Sequence, residues 1–141
     1  MIVLLALYAC KKDERRIEGA VNNALSDDLN KYWHSKPFDS ENKMPQWFTV
    51  DMQKDLEISG FIYANPDNAL SADACPKRIR FDVSPDGATW TTALVVDKVP
   101  RITGRQKFPC QEPVTARYFR LTVETNWADC DWTYVAYISI Y

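Results

Sequence analysis

From Trp47 to the C-terminus, apolar side chains recur at every second position, the spacing a half-buried strand requires because its successive residues point to opposite faces. Ile79, Phe81 and Val83 alternate with Arg78, Arg80 and Asp82. Phe119, Leu121 and Val123 alternate with Tyr118, Arg120, Thr122 and Glu124, and Ala136, Ile138 and Ile140 with Tyr137 and Ser139. Phe48 to Met52 obeys the same rule, Glu57 to Ala64 is apolar on both faces, and Leu94-Val95-Val96 is a short buried run, so at least six strands are expected. Turn signals separate them. The clearest is Ser84-Pro85-Asp86-Gly87, where Pro85 presets φ and Gly87 tolerates φ > 0. Only Ala20 to Leu25 reads as helical. Many short strands without alternating helices predict an all-β, antiparallel sandwich or barrel.

Composition narrows the function classes. A chain of 141 residues, 46% hydrophobic, makes one domain. With 17 basic against 19 acidic side chains, a net charge of -2 and a pI near 5.4, it lacks the basic surface that drives phosphate-backbone binding, and nucleic acid is set aside as a partner. The apolar run Ile2 to Ala9 is eight residues, against about 20 for a spanning helix. One histidine, His34, and four glycines leave little for metal, Ser-His-Asp or glycine-loop phosphate chemistry. The balance favours binding over catalysis.

The N-terminus reads as an address. The apolar run ends in Leu7-Tyr8-Ala9-Cys10, and a charged stretch, Lys11 to Arg16, follows. This resembles a bacterial lipobox, and the resemblance implies a signal peptide over 1–9, cleavage before Cys10, lipidation of its sulfur and a tether over 10–19. Such a chain would sit at the cell envelope, anchored by lipid in the outer membrane or at the cell surface. No Lys or Arg precedes the run, which points to a start further upstream. The alternative is a buried N-terminal strand with an ordinary core cysteine.

Six ordered segments carry a family resemblance: Asn23-Ala24-Leu25-Ser26-Asp27-Asp28; Tyr32-Trp33-His34-Ser35; Pro45-Gln46-Trp47-Phe48-Thr49-Val50-Asp51-Met52; Val83-Ser84-Pro85-Asp86-Gly87-Ala88-Thr89-Trp90; Ala116-Arg117-Tyr118-Phe119-Arg120-Leu121; and the closing Ala136 to Tyr141. Over residues 20–141 the chain resembles the F5/8 type C, or discoidin, domain. The resemblance implies an antiparallel jelly-roll β-sandwich of the galactose-binding-like type, similar to family 32 carbohydrate-binding modules; other relatives bind phospholipid head groups or proteins. It also implies a structural calcium site, here degenerate: Ser26, Asp28, Lys31 and Tyr137 stand at its side-chain positions, and only Asp28 is a carboxylate. Lys31 is expected to neutralise Asp28 in the metal's place, and no cofactor is implied.

Antiparallel succession sends loops 33–46, 65–76, 98–105 and 126–133 to one end and turns 53–56, 84–89 and 111–117 to the other. The first set holds the chemistry sugar recognition needs, flat aromatic faces with planar hydrogen-bonding groups. Its candidate carbohydrate-binding residues are His34, Asn65, Asn68, Arg101, Arg105, Trp127, Asp131 and Trp132. Trp33, Trp47 and Trp90, beside strands, are expected in the core. Asp129 and Asp131 form a solvated loop pair, and no catalytic residues are assigned. Cys75 and Cys130 fall in loops at the same end, which predicts a disulfide between them, with Cys110 buried and unbridged. The expected function is non-catalytic glycan capture by an anchored lipoprotein. The alternative is an adhesion or assembly subunit docking an envelope protein through the same loops.

Overall fold

The computed structural model describes residues 6–9, 21–35, 43–67 and 74–141; the expected lipidation site Cys10 and the tether lie outside the described residues. Eight strands and a single 3-10 helical turn, Val21–Leu25, make up the regular structure of the described residues. The strands are β1 (Ala6–Ala9), β2 (Trp33–His34), β3 (Gln46–Ala64), β4 (Pro76–Ser84), β5 (Thr91–Val96), β6 (Arg105–Asn126), β7 (Tyr134–Val135) and β8 (Tyr137–Ile140). All pairings are antiparallel. One hydrogen-bonded network runs β1-β3-β6-β4-β5 with β8 also on β3, and β2 pairs with β7.

Two strands serve both layers of the sandwich. The first part of β3, Phe48 to Asp51, lies between β1 and β6, whereas its last part, Phe61 to Ala64, lies between β6 and β8. Register shifts between Asp51 and Leu56 and between Ile58 and Gly60 mark the corner, where Gln53 has a φ of 64°. Residues 53–56 and 111–117, read as turns that break the chain into separate strands, are instead this corner. The ladder survives it, with Leu56 opposite Ala116 and Ile58 opposite Val114.

The bend folds the apolar faces onto each other. Phe61, from the far half of β3, stacks on Phe81 of β4 with ring centroids 4.0 Å apart and planes at 14°, and meets Phe119 of β6 edge-on at 5.8 Å. Full burial of each such side chain contributes about 1.5–3 kcal/mol. Gly60 allows the chain end to close against the corner: a Cβ there would lie 2.6 Å from the Phe108 carbonyl oxygen and from the Tyr141 ring. The Tyr141 carbonyl accepts from the Ser59 and Gly60 N–H groups at 2.6 and 3.2 Å.

Of the three tryptophans expected in the core, Trp33 is there, edge-on to Phe48 at 5.0 Å. Trp47 and Trp90 are not. Both are half-buried on the outer sheet face, where the Arg120 guanidinium lies between them, 4.4 Å from one ring centroid and 3.9 Å from the other. Period-2 alternation explains the placement, since Trp47 precedes inward-facing Phe48.

The end of the expected leader takes part in the fold. Ala6 to Ala9 pair with Asp51 to Phe48 at the edge of β3.

Candidate functional site

The loops gather as the antiparallel argument requires. Trp127 N–H donates to the Cys75 carbonyl at 3.0 Å, Val99 N–H to the Lys77 carbonyl at 2.9 Å, and Thr133 Oγ1 to the Ala74 carbonyl at 2.9 Å. Ser35 and Thr133 exchange two further bonds, Ser35 N–H to the Thr133 carbonyl at 3.1 Å and Thr133 N–H to Ser35 Oγ at 3.0 Å.

The short β2–β7 ladder sorts its side chains by face. Trp33 opposite Val135 points into the core, so His34 opposite Tyr134 points outward. Tyr32 joins them: its ring is perpendicular to Tyr134, at 84° and 5.4 Å, and 6.2 Å from His34. His34 and Tyr134 are 6.2 Å apart. Burial raises the pKa of the Tyr134 hydroxyl, and a side-chain hydrogen bond with Trp132 opposes that rise. On the rim, Lys43 Nζ is 2.6 Å from Asp131 Oδ2.

A buried amide shapes the loop that carries Trp132. Asn126 Nδ2 donates to the carbonyls of Cys130 and Trp132 at 2.8 and 2.7 Å, while its Oδ1 accepts from Cys130 N–H at 3.1 Å. Asp129, at a φ of 54°, turns the chain within this grip.

Thus His34 meets Tyr134 and Tyr32, and Trp132 reaches Tyr134, while Asp131 pairs with Lys43. Trp127 and Arg101 belong to a neighbouring part of the same end, where the Trp127 indole N–H donates to the Val99 carbonyl at 3.1 Å. Two expected ligands are committed elsewhere. Asn65 is buried: Nδ2 donates to the Pro100 and Ile102 carbonyls at 3.1 and 3.0 Å, and Oδ1 accepts from Tyr63 at 2.8 Å. It is a brace for loop 98–104 because its side chain faces carbonyls and not solvent. Arg105 lies over the Tyr137 ring at 4.4 Å and reaches Asp27 Oδ1 at 2.8 Å, away from the aromatic cluster. Asn68 lies outside the described residues. Sequence reasoning missed Tyr32, although its alternation with Trp33 signals an outward ring, and missed Asn126 and Lys43, which no local pattern marks.

The residues at the degenerate calcium positions do not fit that ion. Asp28 Oδ1 accepts from the Asn30 backbone N–H and side-chain amide at 3.1 and 3.3 Å, and Ser26 Oγ accepts from Asp28 N–H at 3.2 Å. The Tyr137 ring is covered by the Arg105 guanidinium, 4.4 Å from its centroid. Among the described residues, no three His, Cys, Asp or Glu side chains are grouped to hold a metal. Where Lys31 was expected to neutralise Asp28, the Asp28 oxygen is met by Asn30, and the Arg105 guanidinium reaches the neighbouring Asp27.

Nor is the expected disulfide present. Cys75, Cys110 and Cys130 are all thiols. Cys130 Sγ turns within its own loop to Asn126 Oδ1 at 3.7 Å and the Trp132 carbonyl at 3.5 Å, and the two loops are joined by the Trp127 N–H to Cys75 carbonyl and Thr133 Oγ1 to Ala74 carbonyl bonds. Cys110 is half-buried in β6, and burial pushes its thiol pKa up.

The family model for the F5/8 type C domain matches residues 9–138. No curated protein matches the chain. Among solved structures it is similar to the Clostridium perfringens module CpGH89CBM32-5 in complex with GalNAc-β-1,3-galactose, at 16% identity and a TM-score of 0.77, covering 98% of this chain and 94% of that one. It is similar to the family 32 module of C. perfringens NanJ in complex with galactose, at 12% identity and 0.79, covering 96% and 92%. A third is the family 32 module of AlyQ in complex with 4,5-unsaturated mannuronic acid, at 18% identity and 0.75, covering 100% and 95%. These likenesses establish the sandwich fold.

Proposed function

The chain belongs to the F5/8 type C domain family, and from that membership we propose that it is a non-catalytic carbohydrate-binding module that captures glycan at the loop end of its sandwich. The observation that carries this is the outward cluster of Tyr32, His34 and Tyr134, with Trp132 bonded to Tyr134 and the Lys43–Asp131 pair on its rim. Aromatic faces accept the C–H face of a pyranose, while the imidazole, the phenol hydroxyls and the rim charges offer partners for its hydroxyls. Loops braced by Asn126 and Ser35–Thr133 present these groups already ordered, which lowers the entropy cost of binding. The bound sugars of the three similar modules support the ligand class. No bond is broken in this mechanism: the site holds and releases.

The second half of the proposal concerns location. The lipobox-like Leu7-Tyr8-Ala9-Cys10 supports a lipid-anchored module at the cell envelope, holding glycan near the membrane.

A glycan array probed with the full chain and with a Tyr32→Ala, His34→Ala double variant tests the binding site. A saccharide class bound by the parent and lost by the folded variant is the expected result. A folded parent that binds nothing on the array overturns the reading.

A further inference from the structure

The three outward rings of the β2–β7 ladder do not make a flat platform. Tyr32 meets Tyr134 at 84° and 5.4 Å, while His34 meets Tyr32 at 53° and Tyr134 at 65°, both at 6.2 Å, so no two of them share a plane. A single ring can carry the C–H face of a sugar. Where two rings meet at a steep angle they form a corner, and a corner takes a small apolar group such as a methyl. The ring faces are the negative ends of their quadrupoles, so this corner attracts weakly positive C–H groups and repels an anion.

One of these rings carries a hydroxyl whose direction is set. The Trp132 indole, a donor only, reaches the Tyr134 hydroxyl in a side-chain hydrogen bond, so the phenolic oxygen accepts there. What the hydroxyl has left to offer is its proton. The chain that carries the pair is tied down on both sides: the Trp132 carbonyl accepts from Asn126 Nδ2 at 2.7 Å, Thr133 N–H donates to Ser35 Oγ at 3.0 Å, and Thr133 Oγ1 donates to the Ala74 carbonyl at 2.9 Å. A hydroxyl held this way is matched to a carbonyl oxygen, which has lone pairs to accept with and no proton of its own to place.

We infer that Tyr134, its hydroxyl set as a donor by Trp132 beside the corner of Tyr32 and His34, selects sugars that carry an acetamido group. The inference rests on the glycan-binding reading and names the substrate class of that site. An acetamido group bears its carbonyl oxygen and its methyl on one carbon, so the oxygen accepts the Tyr134 proton while the methyl enters the corner. A carboxylate offers a similar oxygen, but it has no methyl and sets a negative charge against the ring faces. A sugar hydroxyl supplies neither the carbonyl nor the methyl.

The test measures, with the full chain, affinity for N-acetylgalactosamine and N-acetylglucosamine against galactose and glucose, the same rings with a hydroxyl at the acetamido position. The expected result is about tenfold tighter binding of an acetamido sugar than of its hydroxyl counterpart, the equivalent of one hydrogen bond between neutral groups, with an advantage that salt leaves in place. In Tyr134→Phe, which keeps the ring and loses the proton, the ratio of the two affinities falls towards one. Trp132→Phe, which frees the hydroxyl to turn, lowers the ratio as well. Equal binding within both pairs, or a ratio that Tyr134→Phe leaves unmoved, overturns this inference and leaves the glycan reading standing. So does an array on which the bound saccharides lack acetamido groups. A folded parent that binds none of the four sugars and is silent on the array overturns both.

Discussion

Asn126 holds Trp132 by its main chain: the buried amide donates to the Trp132 carbonyl at 2.7 Å and, from the same nitrogen, to the Cys130 carbonyl at 2.8 Å. Asn126→Ala removes both donors and the acceptor for Cys130 N–H. The variant is expected to lose about 2–4 kcal/mol of stability, since groups it satisfied are left without partners, and to lose glycan affinity as Trp132 shifts. Urea unfolding and titration with the sugar identified on the array measure the two effects. Wild-type affinity in Asn126→Ala would show that the loop holds its shape without the amide.

The Trp47–Arg120–Trp90 stack lies on the sheet face, not at the loop end. Arg120→Met retains an apolar stem and loses the guanidinium between the two indoles, so a destabilisation of about 1–2 kcal/mol is expected. Glycan affinity should be unchanged. Tryptophan fluorescence should report the altered ring environment in the folded state.

Acid should weaken the fold over a defined window. Hydrogen bonds from Arg117, Nε and Nη2 each at 2.8 Å, hold the Asp51 carboxyl below its ordinary 3.8, and the Thr89 and Ala88 N–H groups with Ser84 pull Asp86 down to about 2. Depressed carboxyl pKa values stabilise the folded state above the unfolded value, and that contribution is lost as pH falls through the folded one. The Tm should therefore hold steady from pH 7 to about pH 5 and drop from there towards pH 2. An Asp51→Asn, Asp86→Asn double variant should start lower and show a shallower drop.

Chelator should leave the Tm unchanged, and so should added calcium. Arg105→Gln should lower the Tm by a few degrees, because it removes both the contact with Tyr137 and the tie to Asp27, with most of the loss from the stacked face and little from the exposed ion pair. A calcium-dependent rise in the Tm of the parent would contradict the assignment of this place to a guanidinium.

Much of the architecture was legible in local spacing. Ile79-Phe81-Val83 and Phe119-Leu121-Val123 fall where alternation puts them, in β4 and β6 with every one of these side chains buried. The Ser84 to Gly87 turn forms as its residues require, with Gly87 at a φ of 76° and Ser84 Oγ accepting its N–H at 2.8 Å. His34 stands beside Tyr32 and Tyr134 because residues in loops at one end of a sandwich have a calculable meeting place. The corner in β3 was not legible, since two strands and one bent strand have the same alternation on either side of the break.

By itself, then, the sequence determined the strands, their inward faces and the end where the long loops collect, because these follow from a pleat that repeats every two residues. Tertiary structure decided what the polar side chains do. Asn65 braces carbonyls 35 and 37 residues away, Arg105 reaches an aspartate 78 residues back, and Asn126 occupies the thiol that was expected to form a disulfide. The physical reason is one of range: burying an apolar face needs only the right period, whereas a buried hydrogen bond needs a specific partner at about 3 Å, and the folded chain alone supplies it.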